Sequence, residues 1–274
     1  MSALPLLGKV AIVAGGSRGA GAGAARALGS AGATVYVSGR TVKGGPPPLD
    51  GATGTVDQTA EEVAALFERV QREQGRLDLL VNAVWGGNEL PSLQADWGQP
   101  FWEQKELPAA GWEAMFTAGV RPALIAAHHA SRVMATQQSG LIVNVSFQYP
   151  EAAGSPYIGH LMYDLAKAVL CRMAFGLAEE LRPHGVTALA LSPGHMRTER
   201  VLRHYATDEQ SWHDVAELAG SETPEYLGRA VAALAADPDV LQHSGKTLIV
   251  AELAIRYGFT DVDGTQPLPF MPPA

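Results

Sequence analysis

Tyr163 and Lys167 stand four residues apart in the run MYDLAK. On a helix that spacing puts two side chains on one face, about one turn apart. A free phenol ionises near pH ~10, too high for easy proton exchange at neutrality. A nearby ammonium stabilises the phenolate and lowers that value, so the pair reads as a proton donor and acceptor for an oxygen. The same spacing is common on plain helix surfaces. Its meaning depends on what the rest of the chain brings to it.

The chain first brings a glycine-rich run, AIVAGGSRGAGAG, which follows an apolar segment and opens a small-residue helix. Gly15, Gly19 and Gly21 permit tight turning and close approach of backbone amides to a pyrophosphate at the helix N-terminus. Ser17, Arg18 and Ala20 complete that loop. Sites for NAD(H) usually carry an acid near the end of the second strand, to hold the ribose 2′-hydroxyl. Here the position falls in VSGRT, with Arg40 nineteen residues after Gly21 and Thr41 beside it. A guanidinium holds a 2′-phosphate that an acid would repel. Arg18 can reach the same phosphate. NADP(H) is therefore expected over NAD(H).

The elements that must position these groups alternate. Strands are expected at Lys9–Ala14, Thr34–Ser38, Leu77–Val81, Leu141–Val145, Val186–Leu191 and Thr247–Val250. Helices are expected at Gly19–Ala31 and at about 60–74, 112–136, 162–182 and 224–236. Apolar strands between helices predict a parallel sheet covered on both faces, in one α/β domain over residues 1–274. Two segments break the rhythm. Gly44–Gly54 holds three prolines and four glycines and is no helix interior. The usual helix between the second and third strands is therefore expected to be missing or displaced, and the third strand is the weakest part of this map. The connection 85–111 is long and carries Trp85, Trp97, Phe101 and Trp102, so it is expected to pack over a substrate or a neighbouring subunit.

Composition narrows the classes. With 47% hydrophobic and 18% charged residues in 274, there is material for a large core and no disorder signature. Net charge is −8 and no basic run occurs, which argues against a nucleic-acid partner. Cys171 is the single cysteine, so no intrachain disulfide can form and a reducing compartment is expected. No apolar run reaches the ~18 residues of a membrane span, and the start lacks the pattern of a secretory signal. A cytoplasmic protein is expected. No Cys/His cluster suggests a metal, and His128 and His129 diverge on their helix.

The glycine loop, Asn82, Tyr163-x-x-x-Lys167 and Pro193–Gly194 occur in this order, and together the chain resembles the short-chain dehydrogenases/reductases along nearly its full length. The resemblance implies a Rossmann-type, doubly wound sheet of six or seven strands. It implies Asn82, Ala83 and Val84 beside the adenosine ribose, Asp57 at the adenine, and Lys167 on the nicotinamide ribose. Pro193, Gly194 and Met196 would lie along the nicotinamide, with Thr198 near the carboxamide or phosphates. Tyr163 would be the general acid/base. It also implies a homodimer or homotetramer through the 122–136 and 162–182 helices.

Two departures stand out. The helix position that carries an asparagine in the family is Gly119, seven residues after Trp112. Glycine keeps the main-chain carbonyl, and Pro122 cannot bond the carbonyl of Ala118, so a kinked helix with open carbonyls is expected near Gly119. The pair where the family places its catalytic serine reads Ser146–Phe147. Ser146 is the expected donor to the substrate oxygen, with Gln148, Tyr149 and Ser155 in reserve. Trp85, Phe147, Tyr149 and His195 are expected on the substrate side, with the segment at about 195–225. Arg197 beside His195 could favour an anionic or polar substrate. The resulting expectation is an NADP(H)-dependent carbonyl reductase or alcohol dehydrogenase. The other reading is a nucleotide-binding sensor or assembly protein of the same fold with little catalysis.

Overall fold

The computed structural model describes residues 4–39, 56–87, 97–104, 108–148, 157 and 159–270, with helix side chains from 61 and 109 onward in the two segments that begin at 56 and 108. Its strands are β1 (Val10–Ala14), β2 (Thr34–Ser38), β3 (Leu79–Asn82), β4 (Gly140–Val145), β5 (Val186–Ser192) and β6 (Thr247–Ile249). All pair in parallel, in the order β2-β1-β3-β4-β5-β6. The chain reverses direction of travel across the sheet at β1, so β1 and β3 form the switch point where ligands of such sheets bind. A strand in the Gly44–Gly54 stretch would fall outside the described residues.

Helices follow the strands: α1 (Gly19–Ser30), α2 (Val56–Gln74), α3 (Pro108–Trp112), α4 (Arg121–Gln137), α5 (Leu161–Leu181), α6 (Glu199–His204), α7 (Pro224–Ala236) and α8 (Val250–Tyr257). The central strands β1, β3, β4 and β5 are buried on both faces because their side chains alternate between two cores. Val13, Val81, Val143 and Leu189 meet Ala24 and Leu28 of α1 and Leu227 and Val231 of α7. Ile12, Leu80, Ile142 and Ala188 meet Phe67 of α2, Ala126 and Met134 of α4 and Leu181 of α5. Small residues let α1 and α7 touch backbone to backbone. A Cβ at Gly23 would lie 2.1 Å from the carbonyl oxygen of Pro224.

The helix expected at 112–136 is not one regular helix. It starts earlier, at Pro108, and between α3 and α4 the residues Glu113–Val120 form a π-helical stretch. Pro122, in the first turn of α4, removes an amide donor and forces the ladder to restart there. In place of the kinked helix expected near Gly119 there is a run of wide π-helical turns. Residues 250–257, with no helix expected, form α8 against α7.

Candidate active site

The β1–α1 turn is shaped by glycine. Gly15 has φ +79°, and a Cβ there would lie 2.8 Å from the backbone of Ala83 and Val84. Both conformation and space demand glycine. The amides of Gly15 and Gly16 donate to the Ser38 carbonyl, each at 3.0 Å, which ties the loop to the end of β2. Arg18 precedes α1 in extended conformation. The Gly19 amide donates to Oε2 of Glu199, 3.2 Å away, and Thr198 lies beside Gly19. A carboxylate oxygen thus rests on the N-terminal amide of α1, the contact a phosphate oxygen would make there.

Tyr163 and Lys167 share one face of α5, as their spacing predicts. Lys167 is 8% exposed and its Nζ lies 5.5 Å from the centre of the Tyr163 ring. Aromatic rings enclose the phenol. Trp85 meets it edge-on at 5.3 Å, Trp97 at 5.2 Å and Phe147 at 6.4 Å. Trp97 also stacks near His160 at 6.2 Å, and Phe270 joins Phe147 at 5.8 Å and His195 at 6.0 Å. The chamber is a set of apolar walls around one hydroxyl.

Burial governs the charges here. It pushes the Tyr163 phenol above its ordinary range and Lys167 down to about 8. Lys167 Nζ lies over the Tyr163 ring, and desolvation is the largest influence on the phenol. His195 is pushed down, also by burial.

Ser146 sits differently from the sequence expectation. It is 2% exposed, and its hydroxyl donates to the carbonyl of Lys167 at 2.8 Å, with Cys171 Sγ at 3.3 Å. Its proton faces α5 and not the aromatic chamber. The physical reason is register: Val145 at the end of β4 pairs with Leu191, which turns Ser146 under the helix and Phe147 toward Tyr163. The reserve donor Gln148 is also engaged. Its Nε2 donates to Oδ1 of Asp164 at 2.9 Å and to the Asp164 carbonyl at 3.3 Å.

A family model for short chain dehydrogenases matches residues 9–209. The chain belongs to the short-chain dehydrogenase/reductase family. These are oxidoreductases. The chain is 38% identical to human dehydrogenase/reductase SDR family member 1 over 278 residues, covering 96% of this chain and 86% of the relative. It is 30% identical to fluoren-9-ol dehydrogenase of Terrabacter over 280 residues, covering 93% and 74%. Among solved structures, a short-chain type dehydrogenase/reductase from Mycobacterium marinum superposes with TM-score 0.65 at 22% identity, covering 90% of this chain and 95% of that one. That likeness concerns the fold.

The remaining family positions separate into those the fold brings to the site and those it does not. Pro193, Gly194, His195 and Met196 follow β5 at the same edge of the sheet, and Met196 bridges to Glu222. Thr198 caps α6, accepting from the Val201 amide. Ser17 and Ala20 stand in the glycine loop. Asn82 is buried, and its Nδ2 donates to Oδ1 of Asn144 at 2.9 Å and to the Ala123 carbonyl at 3.3 Å. Asn144 in turn donates to the Leu170 carbonyl. The Asn82 side chain therefore braces β3, β4 and two helices, which leaves the backbone of Ala83 and Val84 beside the glycine loop. Asn144 escaped notice in the sequence, although an asparagine inside LIVNV is a usable signal of a buried polar bridge.

Arg197 gives no support for an anionic substrate. It is 2% exposed, bonds the carbonyl and hydroxyl of Ser221, and lies 3.7 Å from the Trp212 ring centre. Arg40, Thr41, Tyr149, Ser155 and the side chain of Asp57 lie outside the described residues. Among the described residues no group of His, Cys, Asp and Glu could hold a metal, and no helix is long and apolar enough to cross a membrane.

Proposed function

We propose that the chain is an NADP(H)-dependent oxidoreductase acting on a carbonyl/alcohol pair, with Tyr163 as the proton-transferring group and Lys167 beside it. The observation that carries this reading is the pair's position: a half-buried Tyr163 and a buried Lys167 among aromatic rings, at the sheet edge that also carries the glycine loop and the Pro193–Gly194 turn. Gly15, Ser17, Gly19, Ala20 and Gly21 would hold the pyrophosphate, as the Glu199 carboxylate on the Gly19 amide supports. Arg18, Arg40 and Thr41 would hold the 2′-phosphate, Asp57 the adenine side, and Ala83 and Val84 would border the ribose. Pro193, Gly194, Met196 and Thr198 would flank the nicotinamide, which supplies or accepts the hydride.

The chain's own part is proton management. A phenol raised by burial is protonated at neutral pH, so Tyr163 stands ready to give a proton to a carbonyl oxygen. That suits reduction. Trp85, Trp97, Phe147 and Phe270 present aromatic surface to the site and favour a flat, largely apolar ketone. A relative named for fluoren-9-ol, a fused-ring alcohol, fits such walls. With Ser146 committed to the Lys167 carbonyl, Tyr163 is the described hydroxyl that meets the substrate oxygen.

The commitment of Ser146 and Gln148 also favours the second reading, a nucleotide-binding sensor with little catalysis. One experiment separates the two. NADPH and NADH binding is measured by thermal shift, and carbonyl compounds are screened for NADPH oxidation with wild type and Tyr163→Phe. Turnover that Tyr163→Phe abolishes supports the enzyme. Binding without turnover on any carbonyl supports the sensor, and turnover indifferent to Tyr163→Phe rejects the mechanism. A cytoplasmic homo-oligomer built on the exposed α4 and α5 faces, including Leu124, Leu165, Val169 and Phe175, is part of the same proposal.

A further inference from the structure

Lys167 is 8% exposed, and among the described residues no carboxylate or carbonyl is found accepting a hydrogen bond from its ammonium. A desolvated charge needs compensation. What faces it is the indole of Trp85: Nζ lies 4.0 Å from that ring's centre, well inside cation–π range. The same indole meets the Tyr163 ring edge-on at 5.3 Å. One side chain therefore touches both members of the pair.

The indole has room because residue 119 has no side chain. A Cβ at Gly119 would sit 3.4 Å from Cε3 of Trp85 and 3.7 Å from Cζ3. A methyl there would just make contact. Anything longer directed at Lys167 would enter the indole's volume. The π-helical stretch of 113–120 sets this position, and Gly119 is buried in it. The loop after β3 supplies the other half: a Cβ at Gly86 would lie 2.3 Å from the Ala114 carbonyl, so the loop is pressed against that stretch.

We infer that Trp85 is a positioning residue for the Tyr163–Lys167 pair, its indole face holding the lysine ammonium and its edge holding the tyrosine ring in the space that Gly119 leaves open. This rests on reading the pair as the proton-transferring groups, but the contact with Lys167 is a property of the protein alone. The titratable groups that face Lys167 among the described residues are Tyr163 and Cys171, both on α5. The elements packed against it offer neutral groups: Trp85 from the loop after β3, Gly119 from the π stretch and Ser146 from β4.

The test keeps the shape of the ring and weakens its π face. The protein is produced with tryptophan, 5-fluorotryptophan or 5,7-difluorotryptophan, and Lys167 is titrated by competitive acetylation read by mass spectrometry between pH 6 and 11. The Lys167 midpoint is expected to fall stepwise with fluorination, by about half a pH unit or more over the series. A midpoint that stays put or rises overturns the inference. A second measurement uses point variants. Gly119→Asn, which displaces the indole, is expected to lower the Lys167 midpoint, and Gly119→Ala to leave it near wild type. Equal midpoints for these two variants also count against the inference. Tyr163→Phe assayed in parallel separates the two claims. If Lys167 follows fluorination while Tyr163→Phe leaves ketone reduction intact, the positioning contact stands and the catalytic reading falls.

Discussion

Glu222 is 1% exposed, and its two carboxylate oxygens make no full hydrogen bond among the described residues. It stands beneath the Pro193–Gly194 turn: a Cβ at Gly194 would lie 2.8 Å from its Oε2. Burial pushes its pKa up to about 8, the nearby Gly194 amide and Arg197 relieve it only in part, and Asp261 adds to the rise. An unfolded glutamate ionises near ~4.3. The folded state therefore holds a proton that the unfolded state has lost between those values. Stability from this group is fully present below the unfolded pKa and is lost as pH rises through the folded one. Taking 1.36 kcal/mol per pKa unit, the loss between pH 5.5 and 8.5 is roughly 3 kcal/mol. For a chain of this size that is a fall in Tm of roughly 6–12 °C. Glu222→Gln keeps the shape and removes the titration. Differential scanning fluorimetry across that pH range should show the two Tm curves separating, with the variant the more stable at pH 8.5. Parallel curves would refute the reasoning, because they mean that Glu222 finds a partner or water that this structure does not give it.

Four further outcomes follow from contacts described above. Ser146→Ala should cost about 1 kcal/mol in urea-unfolding free energy, from the lost bond to Lys167, and lower kcat by less than tenfold; a loss above a hundredfold would return Ser146 to the substrate oxygen. With Lys167 held near 8 by burial, kcat/KM for NADPH-dependent reduction should decline as pH rises through that value, and a profile flat to pH 10 would separate the ammonium from the rate. Gly23→Ala sets a helix-propensity gain of up to ~1 kcal/mol against a contact at 2.1 Å, and the steric term should win by roughly 1–3 kcal/mol in chemical denaturation. Gly29→Ala on the same helix, with nothing near its Cβ, should instead stabilise.

The sequence by itself carried the order of elements. Apolar runs bounded by helical patterns placed β2 and α7 with the bounds observed. This works because apolar periodicity and breaker residues leave the local structure little choice. The pairing of Tyr163 with Lys167 was equally legible, since helix geometry alone puts them on one face. Tertiary structure decided what those residues face. Whether Ser146 points to substrate or to the Lys167 carbonyl turns on the β4–β5 register, which no local pattern contains. Arg197 is a charged loop residue in sequence and a buried tie to Ser221 and Trp212 in the fold. The Asn82 side chain finds its partner in Asn144, 62 residues away along the chain. Trp85 and Gly119 lie far apart along the chain, and only packing makes the missing side chain of one the space for the other. Local propensity fixes elements and spacing. The environment that sets the charge on Lys167 and the freedom of a hydroxyl is assembled from distant segments, and so exists only in the folded molecule.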